Sequence, residues 1–160
     1  MKVRNGIGRS CRRFLSAESV KPCVLAGIVF EDSPGLAADS DGDVIFHAIC
    51  HAIGTLVCKP LLDLIADELC YKQGITDSQV YVEEALKYLN NQRIEHVAIH
   101  VEAREPHLID KLDEMRKKIA NVLLINLDQV GFSFISGEGL SDVSCGEGVE
   151  AICIITTMQD

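Results

Sequence analysis

The strongest constraint on the fold is a change of hydrophobic period near residue 40. Residues 23–32, "CVLAGIVFED", are an apolar, β-branched run closed by the turn signal Ser33-Pro34-Gly35, and they read as a strand. Just beyond, in "DSDGDVIFHAICHAIGTLVC", Val44, His47, Ile49 or Cys50, His51 and Gly54 recur three and four apart, the period of a helix. The alternation continues along the chain. Residues 2–8 and 12–14 read as extended, and "LLDLIADELC" as a short helix ending near Gly74. "TDSQVYVEEALKYLNNQ" reads as a helix capped by Thr76 or Asp77 and stopped at Asn90-Asn91. Residues 95–102, "EHVAIHVE", alternate as a strand, and a helix opens at Pro106 and runs to about Val122. "LDQVGFSFIS" and "GVEAICIITT" supply the last strands. Strands interleaved with helices long enough to cover a sheet give an α+β or α/β layer domain. With no repeat or linker, a single domain over residues 1–160 is expected.

Composition narrows the function. A chain of 160 residues can bury a core without disulfides or a structural metal. No apolar run approaches the ~20 residues of a membrane span, so no membrane partner is expected. A net charge of −9, no Trp, three Tyr and five Phe argue against nucleic acid, which needs a cationic surface and stacking platforms. The seven cysteines are odd in number and form no C-x-x-C pair, which points to a reducing, cytoplasmic setting.

Against this acidic background, residues 6–14, "GIGRSCRRF", gather Arg9, Arg12 and Arg13 around Cys11. By itself the segment could be a targeting arm, a phosphate cradle, a solvated turn, or a thiol whose pKa the arginines lower. The other informative stretch is "SDGDVIFHAICH". Ser40, Asp41 and Asp43 are good helix-starting residues. Asp43, His47 and His51 are also spaced i, i+4, i+8, one stripe of a helix. A carboxylate and two imidazoles on one stripe can bind zinc when other ligands join them, although two such histidines are more often simply packed.

"SDGDVIFHA", the terminal "GEG" and the order of elements resemble the 2-C-methyl-D-erythritol 2,4-cyclodiphosphate synthase family, from about residue 3 to 157. The family's opening G-H-G-x-D-x-H-R-F aligns with "GIGRSCRRF" without a gap, so the N-terminal segment belongs to the fold. The resemblance implies an α+β domain with a four- to five-stranded sheet backed by helices, and a homotrimer around a three-fold axis with sites at subunit interfaces. It implies a zinc ion, a second divalent cation such as Mg or Mn, and attack of a 2-phosphate on the β-phosphate of a CDP-linked methylerythritol, releasing CMP. The cations would align and neutralise two phosphates that repel each other.

Carried over by position, His47 is the helical zinc ligand, and Ser40, Asp41, Gly42 and Asp43 match the S-D-G-D run, with Ser40 a phosphate contact and Asp43 catalytic. Glu138 takes the place of the metal-binding catalytic Glu, preceded by Ile135, Ser136 and Gly137 where the family has threonines; Ser136 is the candidate phosphate contact among them. Pro106 matches a proline of the cytidine pocket, followed by His107 in place of a lysine. Gly146, Glu147 and Gly148 match the end of G-R-G-E-G, with Glu147 a candidate substrate contact and Cys145 in place of the arginine. Asp63 is the nearest counterpart of the residue that holds the methylerythritol part.

The departures fall on the metal. Ser10 replaces a zinc-binding Asp, Arg12 a zinc-binding His, and Asp39 the His that opens the S-D-G-D run. One remaining ligand does not hold zinc, so the expectation is an empty zinc position, with Arg12 a permanent cation able to pair with phosphate. A relocated site of Asp43, His47 and His51 would span too much of one straight helix to converge on an ion. Cys11, in a strand, faces away from residues 10 and 12. Three readings follow: a family member with a decayed or repurposed site that keeps cytidine nucleotide or diphosphate binding; an active synthase with zinc and Mg or Mn on unusual ligands; and a structural or regulatory trimer partner. The loss of an arginine at Cys145 also predicts weak binding of isoprenoid diphosphates along a three-fold channel.

Overall fold

A computed structural model describes residues 1–160 as a four-stranded sheet covered on one face by helices, with a separate two-stranded hairpin. The strands of the main sheet run β1 (Lys2–Arg13), β6 (Gly148–Gln159), β4 (Arg93–Ala103), β5 (Val130–Ile135) in spatial order. β6 pairs antiparallel with both β1 and β4, and β4 pairs parallel with β5. The parallel pair needs a crossover, which α4 (Leu112–Leu123) supplies. The expected α+β class is therefore observed, and of the four to five strands expected in the sheet it has four.

The inward side chains of the strands, including Val97, Ile99, Val101, Ala151, Cys153 and Ile155, form the core with the helices. Over them lie α1 (Val44–Leu56), α2 (Leu61–Ala66), α3 (Ser78–Leu86) and α4. The other face of the sheet is uncovered, and Val3, Ile7 and Ile154 are 53%, 58% and 43% exposed there. No single helix is long and apolar enough to cross a membrane.

Three expectations need correction. The extended segments 2–8 and 12–14 are one continuous strand, because β1 pairs with β6 along its whole length. Residues 23–32 are not one strand: β2 (Pro22–Leu25) and β3 (Ile28–Pro34) form a hairpin that turns at Ala26 and Gly27. Both turn residues have positive φ (50° and 72°), the pattern of a two-residue hairpin turn, and the continuous apolar run concealed it. Pro106 lies before the helix it was expected to open; a 3₁₀ turn at Leu108–Lys111 intervenes, and α4 begins at Leu112.

Candidate functional site

Two glycines set how β1 meets α1. A Cβ on Gly6 would lie 2.6 Å from Leu56 Cγ, and one on Gly8 would lie 2.5 Å from the Ala52 amide nitrogen. Strand and helix backbones therefore touch. Two strand residues rise ~6.6 Å and four helical residues ~6 Å, so successive inward positions on β1 step along α1 nearly in register. Gly6 sits against Ala52 and Gly8 against Ala48 and Ala52. The next inward positions, Ser10 and Arg12, run toward the N-terminal end of α1, where His47 lies.

That end opens into a cleft of about 560 Å³ lined by Arg12, Asp39, Ser40, His47, His51 and Asp63, with Leu62, Asp67, Cys70, Tyr71 and Tyr81 on the wall formed by α2, the turn after it and α3. Lys21 ties down the segment that brings Asp39 and Ser40 to the cleft. Its ammonium donates to the backbone carbonyls of Leu36 (2.9 Å), Ala38 (2.9 Å) and Ser40 (2.6 Å), drawing the segment that carries Asp39 and Ser40 around one cation. The Tyr71 hydroxyl donates to Asp39 Oδ2 at 3.0 Å.

His47 is 4% exposed, and its hydrogen bonds determine its tautomer. The Ser78 hydroxyl donates to Asp41 Oδ1, and the Ser78 amide donates to Asp41 Oδ2 at 3.0 Å. A carboxylate only accepts, so Ser78 Oγ is left to accept from His47 Nε2, 2.8 Å away. Ser40 Oγ lies 3.3 Å from the same nitrogen. Nε2 thus carries the proton and Nδ1 the lone pair, and Nδ1 is buried with no hydrogen-bond partner. Burial, reinforced by the charges of Arg12, His51 and Lys21, pushes the ring's pKa down to about 3, so it is neutral. His51 is also lowered by burial, with Asp63 opposing the shift.

Asp43 stands apart from the two histidines. It is the N-cap of α1 (φ −63°, ψ 95°), so its side chain does not follow the helical stripe. Its carboxylate accepts from the amides of Ile45 and Phe46 at 3.1 Å each, and from Ala26 (2.9 Å) and Gly27 (2.7 Å) in the hairpin turn. Burial and the neighbouring Asp41 push the carboxyl up to about 7, against the pull of the Gly27, Phe46 and Ala26 amides. The expected Asp43–His47–His51 stripe does not form, and no three His, Cys, Asp or Glu side chains converge as a metal cage would require.

The strand period also divides the arginines. Arg9 and Arg13 lie on the uncovered face with Cys11, beside a second hollow that Glu147 also lines and Arg12 borders. Arg9 donates to Glu150 at 2.6 Å, while Arg13 pairs with Glu147 and, at 3.3 Å, with Asp142. Only Arg12 faces the His47 cleft, and it makes no ion pair. Pro106 and Ser136 line a third hollow of about 260 Å³ with His107, Leu108 and Phe134. Glu138 sits exposed on the turn between Gly137 and Gly139. Within one chain the structure thus gathers Arg12, Ser40, His47, His51 and Asp63, and leaves Asp43, Pro106, Ser136, Glu138 and Glu147 elsewhere. Sequence reasoning missed Ser78 and Lys21: the first looked like an ordinary residue after the N-cap Asp77, and no local pattern marks the second.

This sheet, crossover and cleft define a known class, and the YgbB family model matches residues 3–158. The chain belongs to the YgbB family. Its similar relatives include proteins named 2-C-methyl-D-erythritol 2,4-cyclodiphosphate synthase from Chlamydia felis and Chlamydia abortus. They are 52% and 53% identical over 157 residues, covering 98% of this chain and 89% of each relative. The resemblance read from "SDGDVIFHA" and "GEG" is thereby shown. Among solved structures, the fold matches Plasmodium falciparum IspF in a CDP complex with a TM-score of 0.83 and 21% identity, covering 99% of this chain and 97% of that one. It matches the Plasmodium vivax cyclodiphosphate synthase with a TM-score of 0.83 and 24% identity, covering 99% of both chains.

Proposed function

We propose that this protein is a cyclodiphosphate-synthase homologue whose cleft binds a cytidine diphosphate or related diphosphate without zinc, and whose cyclisation activity is reduced or lost. The observation that carries the reading is the face β1 turns toward His47, which offers Ser10 and Arg12. Tested as a zinc site, the donor set falls short. His47 Nδ1 is a competent donor with a free lone pair. A neutral serine hydroxyl is a poor ligand and a guanidinium is none, whereas catalytic zinc takes three protein donors. Zinc does not fit these residues.

The ligand class is supported by the names of the relatives and by the CDP of the Plasmodium falciparum complex. Arg12 supplies the cation, and its planar donors suit phosphate oxygens. The scatter of Pro106, Ser136 and Glu138 away from the cleft supports a homotrimer, in which copies complete one another's sites. The uncovered sheet face, with Val3, Ile7 and Ile154 exposed, is the surface such an assembly would bury. A reducing, cytoplasmic location fits the seven free cysteines.

A second reading, an active synthase with zinc and Mg or Mn on unusual ligands, is favoured by the 52–53% identity to proteins named as synthases. Metal analysis of the purified protein, with thermal shifts by CDP in the presence of a chelator, separates the two. The first reading expects little zinc and a chelator-resistant rise in Tm with CDP. It also expects the double variant Ser10→Asp/Arg12→His to take up about one zinc per chain. About one zinc per wild-type chain, lost on His47→Ala, with turnover that a chelator abolishes, would overturn it in favour of the second.

A further inference from the structure

We propose that Arg12 and His47 work as a metal-free anion clamp: the Arg12 guanidinium turns inward, donates one N–H to the bare Nδ1 of His47, and points its remaining N–H groups at a phosphate of the ligand. The inference deepens the binding function proposed above and rests on it. Its starting point is a buried acceptor with nothing to accept. The Asp41–Ser78 pair directs the ring proton to Nε2, which leaves the lone pair on Nδ1 of a residue that lines the cleft.

The donors that line the cleft leave few candidates to meet it. Tyr71 gives its proton to Asp39, and Tyr81 gives its proton to the Ile75 carbonyl. Asp39, Asp63 and Asp67, as carboxylates, only accept. His51 belongs to the same helix one turn on, where Cβ atoms stand ~6 Å apart and the rings leave from separate levels. Arg12 has five N–H donors on a long side chain at the end of β1, lines the same cleft, and is held by no ion pair.

The carboxylates around it explain why a ligand is needed. Asp39 is held by Tyr71, and Asp67 lies 3.7 Å from Lys72, so Asp63 is the competing partner for the guanidinium. A diphosphate brings more charge and more acceptor oxygens than one carboxylate. With His47 Nδ1 taking one N–H, the fork keeps donors free for a bidentate contact. Asp41 and Ser78 are then positioning residues, acting on the ligand only through the imidazole.

The test uses the full chain with a chelator throughout. The probes are CDP and inorganic pyrophosphate, followed by calorimetry and by ¹⁵N resonances of the histidine rings. On binding, the His47 Nδ1 resonance should move from a bare lone pair toward a hydrogen-bonded one. Arg12→Met, which removes an exposed and unpaired side chain, should abolish that movement and weaken both probes about tenfold or more. Ser78→Ala should mix the two ring tautomers and weaken binding, and Ser78→Thr should restore both. His51→Leu should leave the Nδ1 movement intact. Binding of CDP with an unchanged Kd in Arg12→Met, or without movement of Nδ1 in the wild type, overturns the clamp and leaves the proposed function standing. If neither CDP nor pyrophosphate binds the wild type, the proposed function fails, and the clamp with it.

Discussion

Replacing Gly8 by alanine tests whether the glycines of "GIGRSCRRF" are required by packing. The added Cβ would meet the Ala48 carbonyl oxygen first, then the Ala52 nitrogen at 2.5 Å and His51 Cβ at 2.7 Å. Ordinary contacts fall at ~3.5 Å, so β1 and α1 would have to part by roughly 1–1.5 Å. The first two obstacles are helix backbone and have no rotamer with which to yield. Separation would also pull at Thr55, whose hydroxyl accepts from the Ile7 amide at 2.8 Å on the outer edge of β1. Overpacking of this kind costs about 1–3 kcal/mol, and a backbone obstacle places it near 3. Unfolding entropy for a chain of this length is roughly 0.34 kcal/mol/K, so Tm should fall by about 9 °C. Calorimetry or urea unfolding reads the change directly. Gly6→Ala, whose Cβ would lie 2.6 Å from Leu56 Cγ and 2.9 Å from Thr55 Oγ1, should behave alike. If both variants melt within about 2 °C of the wild type, the close strand–helix contact is wrong.

Three further outcomes are expected. Asp43→Ala removes an N-cap and strands the Ala26 and Gly27 amides, so it should cost about 3 kcal/mol or more in urea unfolding. Lys21→Met takes the ammonium from three carbonyls and should destabilise by about 2 kcal/mol while loosening the Asp39–Ser40 segment; Lys21→Arg should recover part of the loss, and CDP titration should follow the same order. Arg9→Ala and Arg13→Ala break exposed, solvent-screened ion pairs, and each should leave Tm nearly unchanged and CDP affinity unaltered, in contrast to Arg12→Met.

Local chemistry made much of this protein legible in advance. The change from β-branched runs to helical spacing placed α1, α3, β4 and β6, because burial imposes a period on any amphipathic element. The start of α1 was readable to within Ser40, Asp41 and Asp43, since capping depends on residues only two or three apart, and the structure settles it on Asp43. The match of "SDGDVIFHA" and "GEG" carried the family, and the substitutions Ser10 and Arg12 raised the question of the metal. The tertiary structure decided what depended on distant partners. The side on which each arginine falls follows from strand parity, but the Glu150 and Glu147 that neutralise Arg9 and Arg13 come from β6 and the turn before it. Asp43 left the histidine stripe because a hairpin turn 16 and 17 residues earlier in the chain offered two amides to its carboxylate. The unshared lone pair of His47 exists because Ser78, 31 residues away, is already committed to Asp41. Spacing along a chain fixes which residues share a face, whereas the occupancy of each donor and acceptor is fixed only when remote segments pack and exclude water.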